Sequence, residues 1–368
     1  MGCELKGVRP SILEDMRQVE QVGRRRFGKI LGLSGLATAV GGVAAPAAER
    51  AMGLELPTDN AALFKGGGSG FYMYTDRSFE GVRSKPWQGG TYGYSRNPKR
   101  VGGGLVYTKF HEGVDIKPAR RNSAGEPLDD VRAIGAGRVV YANTVSSRSS
   151  YGNYVVVEHD WGSGPFYSLS AHLMSVAVKP GQRVKAGSTL GRLGYTGVGI
   201  NRTRAHLHLE LKLLLNAKFQ SWHSRHYTSP NHHSVYNGLN MAGVDIAGLL
   251  VAERANPGLR ITEFIGRMQP YFKVVVPKAS GFDLVKRYPW LLKRSARGKS
   301  WEITFSRSGV PLAVVGSGTA VKFAAVTWVK SSPYAHAWNT RSRLTGSGSK
   351  AGLSSGGGRY VQLVAGTF

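Results

Sequence analysis

The sequence has one cysteine, Cys3, and few acidic residues. A single cysteine excludes an intramolecular disulfide framework and a zinc site built from several cysteines. Any bound metal would therefore be held by histidine and carboxylate. Only 22 Asp and Glu stand against 49 Lys and Arg, which leaves a formal charge of +27. This excess favours an anionic partner such as nucleic acid, acidic polymer or a membrane surface.

The overall composition is that of a globular protein. Hydrophobic residues make up 41% and charged residues 19% of the 368 positions, a balance that differs from that of disordered chains. The length allows two domains and a leader segment. The 50 glycines predict a loop-rich, mainly β chain with few long helices.

The first 47 residues have the parts of an export signal. Arginines at 24–26 with Phe27 and Lys29 precede a Gly- and Ala-rich apolar stretch, and Ala45-Pro-Ala47 is a small-residue cleavage pattern. The paired arginines resemble a twin-arginine signal. We therefore expect export by the twin-arginine machinery, residence in the periplasm or extracellular cell envelope, and a mature chain without cysteine and with charge +24. Outside the cytoplasm, anionic cell-envelope polymer is the expected partner, and no nucleic acid is expected.

The rest of the chain divides by composition into four segments. Residues 48–70 end in a Gly-rich stretch and are expected to be a flexible linker. Residues 71–215 show short β-branched or aromatic runs between glycines, which predicts a compact antiparallel β domain. Residues 216–270 read as a His-rich loop followed by a helical connector. Residues 271–368 are expected to form a smaller β-rich C-terminal domain of unknown role, with Tyr360–Val364 as its last strand.

Histidines and one aspartate carry the chemistry of the β domain. His111 and Asp115 lie four apart in an extended or turned segment, in which Gly113 leaves space between the two side chains. His206 and His208 share one face of a predicted strand, and His172 ends an apolar run between the two motifs. Two histidines with one carboxylate, and a remaining position for water, form a catalytic zinc set.

In this order, these motifs resemble the lysostaphin-type (LytM-like) zinc endopeptidases of bacterial cell walls. The resemblance covers about residues 90–213. It rests on the segments Gly93-Tyr-Ser-Arg96, His111-Glu-Gly-Val-Asp115, Tyr151-Gly-Asn-Tyr-Val-Val-Val-Glu-His159, Ala171-His-Leu173, Val178 to Gly187, Gly191-Arg-Leu-Gly-Tyr-Thr-Gly197 and His206-Leu-His-Leu-Glu210.

The resemblance implies roles for particular residues. One Zn²⁺ would be bound by His111, Asp115 and His208, while His172 and His206 would be unligated catalytic histidines. Zinc-activated water would then hydrolyse peptide bonds in peptidoglycan cross-links, with proton transfer by one of the two unligated histidines. The residues alone leave open which one. Glu210 shares a strand face with the histidine pair and would either orient a ligand or form a surface salt bridge.

Three departures from the family pattern affect the expected substrate groove. The family usually has Tyr where this chain has Ser170, the loop from Gly197 to His206 is longer and basic, and residues 120–130 form an insertion-like stretch. The candidate groove residues are Tyr195, Arg202 and Arg204.

Two other functions are compatible with the sequence. A LytM-type module without catalysis would bind the wall and regulate other hydrolases. A binder of anionic polymer or nucleic acid would explain the charge but not the ordered His and Asp set. Among the remaining histidines, His159 is expected to be structural. The tract from Trp222 to His233 is read as a polar loop rather than a second metal site.

Overall fold

The computed structural model describes residues 49–279, 282–293 and 297–368. The predicted signal peptide with its twin-arginine motif lies outside these residues. Within the described ranges, no helix has both the length and the hydropathy needed to cross a membrane.

Short strands dominate the fold. In chain order they are Arg77–Phe79 (β1), Val82–Ser84 (β2), Gly93–Val101 (β3), Gly104–His111 (β4), Val114–Ile116 (β5), Asp130–Arg132 (β6), Gly137–Asn143 (β7), Asn153–Asp160 (β8), Pro165–Val176 (β9), Arg183–Val184 (β10), Thr189–Leu193 (β11), Leu207–Leu214 (β12), Met241–Val244 (β13), Pro270–Pro277 (β14), Ser300–Ser306 (β15), Pro311–Ser317 (β16), Ala325–Val329 (β17), Leu344–Thr345 (β18) and Gly352–Leu353 (β19).

The helices are short. The α-helices are Gly68–Phe71 (α1), Phe219–His226 (α2), Ile246–Ala255 (α3), Ile261–Gly266 (α4), Asp283–Arg287 (α5), His336–Asn339 (α6) and Ser355–Ala365 (α7). Single turns of 3₁₀-helix are Ala62–Lys65, Trp87–Gly90, Ser146–Arg148, Arg202–Arg204, Ser234–Tyr236, Gly238–Asn240 and Pro289–Leu291.

The main sheet is antiparallel and carries the predicted site. Its strands run in the order β10-β7-β8-β9-β11-β6, and β12 pairs with β9, β5 and β13. A second sheet has the order β16-β15-β14-β17, and β1–β2, β3–β4 and β18–β19 form separate pairs. The prediction of a mainly β, antiparallel fold is confirmed.

The sequence of β12 explains why one face of the sheet is polar. Leucines at 207, 209, 211 and 213 alternate with His208, Glu210 and Lys212, and successive side chains of a strand point to opposite faces. The leucines are fully buried in the apolar core. The alternating polar residues therefore lie on the other face, where they are also buried.

One apolar core includes both sheets. Its buried side chains run from Met52 to Ala365, and the described residues all lie in a single compact unit. Tyr288, from the C-terminal segment, binds two strands of the main sheet: its hydroxyl donates to the carbonyl oxygen of Pro165 at 2.7 Å and accepts from the backbone N–H of Leu214 at 2.9 Å. The C-terminal segment therefore packs on the predicted β domain and shares its core.

Several segments differ from the sequence-based expectation. Tyr360–Val364 lies in helix α7 and not in a strand, because its buried residues 357, 360, 361 and 364 follow helical spacing. Ser354 caps this helix by accepting from the N–H of Gly357. Residues 219–226 of the expected loop form α2, and strand β13 precedes α3 in the expected connector.

Residues 49–70, in which the glycines predicted a flexible linker, pack against the rest of the protein. Met52 and Asn60 are buried, and the N–H of Glu55 donates to the carbonyl oxygen of Ile134 at 2.8 Å. The Asn60 side chain also donates to the carbonyl oxygens of Gly70 and Lys117, each at 3.0 Å. These bonds fix the segment in place.

Candidate metal centre

Three strands bring His111, Asp115 and His208 together. His111 is the last residue of β4, Asp115 is the middle residue of β5, and His208 pairs directly with Asp115 across β5 and β12. The three side chains are buried, with exposed fractions of 2–7%.

The segment from His111 to Asp115 is bent, not a single strand. β4 pairs with β3, whereas β5 pairs with β12, and the change of partner occurs at Gly113. A Cβ atom at Gly113 would lie 2.3 Å from the carbonyl oxygen of Leu209. Glycine is therefore required because the backbone of β12 comes so close. This reason replaces the expected one, which was space between the two ligand side chains.

The candidate ligand atoms converge on a common centre. His208 Nδ1 lies 2.9 Å from Asp115 Oδ1 and 3.2 Å from His111 Nε2, and His111 Nε2 lies 3.1 Å from Asp115 Oδ1. These three residues form the one group of at least three His, Cys, Asp or Glu side chains in the described part of the chain that could hold a metal ion.

The outer nitrogen of each ligand imidazole has a hydrogen-bond partner. His111 Nδ1 donates to the carbonyl oxygen of Thr91 at 2.9 Å, and His208 Nε2 donates to Glu210 Oε1 at 2.9 Å. A proton on each outer nitrogen leaves a lone pair on each inner nitrogen. Two nitrogen lone pairs and one carboxylate oxygen therefore face each other, which is a donor set that fits a cation.

The electrostatics also favour positive charge at this point. Burial alone would lower the pKa of His208, but hydrogen bonds to Asp115 and Glu210 outweigh it and raise the pKa to about 9. Burial alone would raise the pKa of Asp115, but His111 and His206 hold it well below its usual range. Without a metal the centre thus attracts a proton, and a metal ion would compete for the same place.

Arg96 binds the outer oxygen of the candidate carboxylate ligand. Its Nη2 donates to Asp115 Oδ2 at 2.5 Å, and its Nε donates to the carbonyl oxygen of Gly89 at 2.7 Å. The guanidinium therefore orients Asp115 so that Oδ1 faces the two histidines.

His172 reaches the centre through an irregularity in β9. Its φ of +63° is in the left-handed region, and the pairing of β9 with β8 shifts register between Val155 and Asn153. A bulge of this kind redirects a side chain. The N–H of His172 donates to the carbonyl oxygen of Tyr151, and its Nδ1 donates to that of Thr196, each at 2.9 Å.

His172 and His206 lie side by side next to the ligands. Their ring centroids are 5.0 Å apart, and the His172 ring is 5.7 Å from that of His208. His206 Nδ1 donates to the carbonyl oxygen of Arg204 at 2.6 Å, and its Nε2 lies 3.4 Å from Asp115 Oδ1. Burial, followed by the charges of His206 and His208, lowers the pKa of His172 to about 3, so its imidazole is neutral.

A row of alternating charges extends from His208 across the polar face of the sheet. Glu210 Oε2 pairs with Lys212 Nζ, Lys212 lies 3.4 Å from Glu112 Oε2, and Glu112 Oε1 pairs with Arg341 Nη2. Lys212 is fully buried. We call His208, Glu210, Lys212, Glu112 and Arg341 the charged row.

Tyr151 lies beside the charged row and contacts Glu210 and His208. Its hydroxyl donates to Glu210 Oε1 at 2.9 Å, and its ring lies 5.5 Å from that of His208. Glu210 is thus held by a tyrosine, a lysine and a histidine in a buried position, which excludes a surface salt bridge. That Glu210 orients a metal ligand stays a prediction.

The two segments that depart from the family pattern contact each other. Tyr195 donates to Glu126 Oε1 at 3.2 Å, and Arg202 pairs with the same oxygen at 3.5 Å. Arg121 donates to the carbonyl oxygens of Gly125, Arg202, Thr203 and Ala205 at 2.7–3.3 Å. The insertion-like stretch at 120–130 and the basic loop before His206 are therefore joined by hydrogen bonds into one continuous surface.

Arg204 points to a different neighbour. It donates to the carbonyl oxygen of Tyr74 at 3.3 Å and lies 3.7 Å from Asp76 Oδ2. The structure thus separates Arg204 from the contact between Tyr195 and Arg202. A role of Tyr195, Arg202 and Arg204 in substrate binding stays a prediction.

Histidines outside the centre have structural contacts. His159 is buried, donates from Nδ1 to the carbonyl oxygen of Ala136 and accepts at Nε2 from Ser168 Oγ. His223 lies in α2 and stacks on Tyr227, and His233 Nδ1 accepts from Tyr154 Oη at 2.8 Å.

Four residues that contact the candidate centre or the charged row were not predicted from the sequence: Arg96, Tyr151, Lys212 and Arg341. The sequence contains a pattern that could have identified Lys212, because this residue continues the alternation of His206, His208 and Glu210 with leucines. No such pattern identifies Arg341, since it is 229 residues from its partner Glu112.

One part of the chain, which includes the candidate metal centre, is similar to known proteins. The sequence profile of Peptidase family M23 matches residues 109–220. Peptidoglycan DD-endopeptidase ShyC of Vibrio cholerae is 36% identical over 119 residues, which are 31% of this chain and 23% of that protein. Murein hydrolase activator NlpD of Escherichia coli is 31% identical over 102 residues, which are 28% of this chain and 23% of that protein.

The similarity to these relatives is confined to one part of each protein. The matches with the first curated relatives span 22–23% of those relatives' own length. Among solved structures, the catalytic domain of the antimicrobial peptidase lysostaphin from Staphylococcus simulans is 30% identical, covering 33% of this chain and 76% of that chain with a TM-score of 0.23.

Proposed function

We propose that this protein is a zinc endopeptidase that hydrolyses peptide bonds in peptidoglycan cross-links, because its residues 109–220 match Peptidase family M23. The family assignment confirms the resemblance predicted from the sequence. The finer parts of the proposal are the metal, the reaction and the substrate.

The convergence of His111 Nε2, Asp115 Oδ1 and His208 Nδ1 carries the proposal. Two imidazoles and one carboxylate, with room for a further ligand, are the protein ligands of many catalytic zinc sites. The hydrogen bonds from the outer nitrogens to Thr91 and Glu210 fix the tautomers that this role needs. When bound, zinc supplies Lewis-acid polarisation of a carbonyl group and acidification of water.

The two remaining histidines are suited to different tasks. His172 donates from Nδ1 to Thr196, is neutral, and has no hydrogen-bond partner for Nε2 among the described residues, so this nitrogen can accept a proton from water. Both nitrogens of His206 face oxygen atoms of the protein, at Arg204 and Asp115. When Nε2 also carries a proton, which the nearby Asp115 carboxylate favours, His206 can donate a hydrogen bond to an oxygen that becomes negative.

Purified sacculi test the proposal directly. Zinc-loaded wild type should release soluble muropeptides with new amino groups, which mass spectrometry identifies. His172→Ala should retain zinc and lose turnover, because the ligands are unchanged and the proton acceptor is missing. His208→Ala should lose both.

A regulatory module of the same fold is the second candidate. The similarity to Murein hydrolase activator NlpD favours it. In this case wild type and His172→Ala would accelerate a separate wall hydrolase equally, and neither would release muropeptides alone. Stoichiometric zinc without turnover under any condition would establish this alternative.

The proposed place of action is the cell envelope, reached by the twin-arginine route. The curated relatives include a peptidoglycan endopeptidase and an outer membrane lipoprotein. The charge of +24 expected for the mature chain suits association with anionic cell-envelope polymer, besides the cross-link peptides that would be the substrate.

A further inference from the structure

A basic groove opens beside the metal centre. Its volume is about 390 Å³, and it is lined by residues 75–79, which include β1, by residues 96–98 of β3 and by Lys109 of β4. We call this space the basic groove. All of its lining except Lys109 lies outside the M23 match at residues 109–220, so most of the groove is built by a part of the chain that the match does not cover.

Arg96 connects the basic groove with the centre. It lines the groove and donates to Asp115 Oδ2, while the other oxygen of Asp115 faces His111 and His208. One carboxylate therefore separates the groove from the candidate metal position. Arg96 is thus the residue that the groove and the candidate metal centre share.

The arrangement of charge in the groove is unfavourable without a ligand. Arg96 and Lys109 are directly opposite each other on β3 and β4, and like charges at such positions destabilise a sheet. Asp115 compensates Arg96, but Lys109 is exposed and has no ion-pair partner among the described residues.

A third cation lies at the same surface. Arg77 is held there by a hydrogen bond to the carbonyl oxygen of Ser95 at 3.2 Å and by the ring of Tyr107. Asp76 is the acidic residue of the lining, but its side chain is 61% exposed and lies 3.7 Å from Arg204. Three cations thus share a groove in which no carboxylate contacts Lys109.

We infer that the basic groove, through Arg77, Arg96 and Lys109, binds a free carboxylate on the substrate residue next to the bond that is cut. This inference rests on the proposed function and names the substrate class: peptides that carry a carboxylate beside the cut bond. Guanidinium groups match the planar, bidentate geometry of a carboxylate, and a volume of about 390 Å³ accommodates a residue rather than a polymer chain.

Two synthetic cross-linked stem peptides test the inference. They differ only in whether the carboxyl group beside the cut bond is free or amidated. For zinc-loaded wild type, amidation should raise KM about tenfold while kcat changes little, as expected for the loss of one charge-assisted contact. In Lys109→Gln the difference in KM between the two peptides should shrink to about twofold or less.

Lys185→Gln is the matched control. Lys185 is also exposed and basic, but it lines a separate groove with Arg50, Arg183 and Trp161. This variant should show the same tenfold preference as wild type. A similar loss of preference in Lys185→Gln would mean that overall charge, and not the basic groove, distinguishes the peptides, and would overturn the inference.

A binding measurement separates failure of the inference from failure of the proposed function. The affinity of metal-free protein for both peptides is measured by calorimetry. If neither peptide is cut but the free carboxylate still binds more tightly and depends on Lys109, the inference stands and the endopeptidase proposal fails. If both are cut with equal KM, the inference is overturned. Lys109-dependent binding of polyphosphate, with no preference between the peptides, would also overturn it.

Discussion

Arg341, in the C-terminal part of the chain, forms an ion pair with Glu112, the residue that follows His111 in the candidate metal centre. The backbone N–H of Arg341 also donates to Tyr94 Oη at 2.8 Å. Glu112 in turn faces the buried Lys212. The C-terminal segment, which lies beyond the M23 match, therefore supplies the last charge of the charged row.

Replacing Arg341 by Gln should weaken zinc binding and destabilise the fold. Glu112 would lose its main counter-charge in a partly buried place, and a loss of this kind costs about 1–3 kcal/mol. Denaturant unfolding and competition with a zinc chelator measure the two effects. Arg192→Gln is the control, because Arg192 pairs with Asp130 at the surface, with side chains 48% and 50% exposed. Equal effects of the two variants would contradict the role of the charged row.

Glu210→Gln should reduce zinc affinity about 10- to 100-fold, the range seen when a partner of a ligand histidine is changed. The glutamine retains an acceptor for His208 Nε2 but removes the charge that strengthens this bond. Tyr151→Phe removes one hydrogen bond to Glu210 and should have a smaller effect. Chelator competition on both variants checks this order. A larger loss in Tyr151→Phe would show that the tyrosine, and not the carboxylate, holds His208.

His159 predicts a specific dependence of stability on pH. Burial lowers its pKa from 6.5 to about 4, so the unfolded chain binds this proton more readily than the folded protein. Its contribution to the free energy of unfolding is therefore full above about pH 6.5 and decreases as the pH falls toward 4, by about 3 kcal/mol in total. Denaturant unfolding of wild type and His159→Gln between pH 7 and pH 4 should give a flatter profile for the variant. Parallel profiles would exclude His159 as the cause.

Arg121→Gln should loosen the contact between residues 120–130 and the basic loop at residues 197–206. The wild-type guanidinium binds carbonyl oxygens in both segments, and one amide cannot reach them all. Amide hydrogen exchange of residues 198–205 should accelerate, while exchange in β12 stays slow. Arg120→Gln is a close control, since Arg120 points to Asp59 instead. Unchanged exchange in Arg121→Gln would mean that other contacts hold the loop.

Local sequence patterns predicted the parts of the site that depend on one strand. The alternation around His208 predicted strand β12, but the strand begins at Leu207, so His206 immediately precedes it. Both imidazoles nevertheless lie near Asp115 Oδ1, and the antiparallel β class followed from short runs between glycines. The distance between His111 and His208 does not follow from spacing, because it depends on the pairing of β5 with β12.

The failures have identifiable physical causes. The short apolar run at Tyr360–Val364 is compatible with a strand and with a helix. Tertiary packing and the N-cap Ser354 favour the helix, α7. The orientation of the His172 side chain depends on a bulge in which its φ is +63°. No sequence pattern predicts this left-handed backbone conformation at a residue other than glycine. The linker at 49–70 contains glycines, but hydrogen bonds such as those of Asn60 hold it in place.

Zinc stoichiometry measures the central claim most directly. Each protein is stripped with a chelator, reloaded with zinc at neutral pH, dialysed and analysed for metal per folded chain. The account predicts one zinc for wild type and for His172→Ala, and none for the separate variants His111→Ala, Asp115→Ala and His208→Ala, each checked for folding by circular dichroism. Retention of one zinc by folded His208→Ala, or no zinc in wild type, would contradict it.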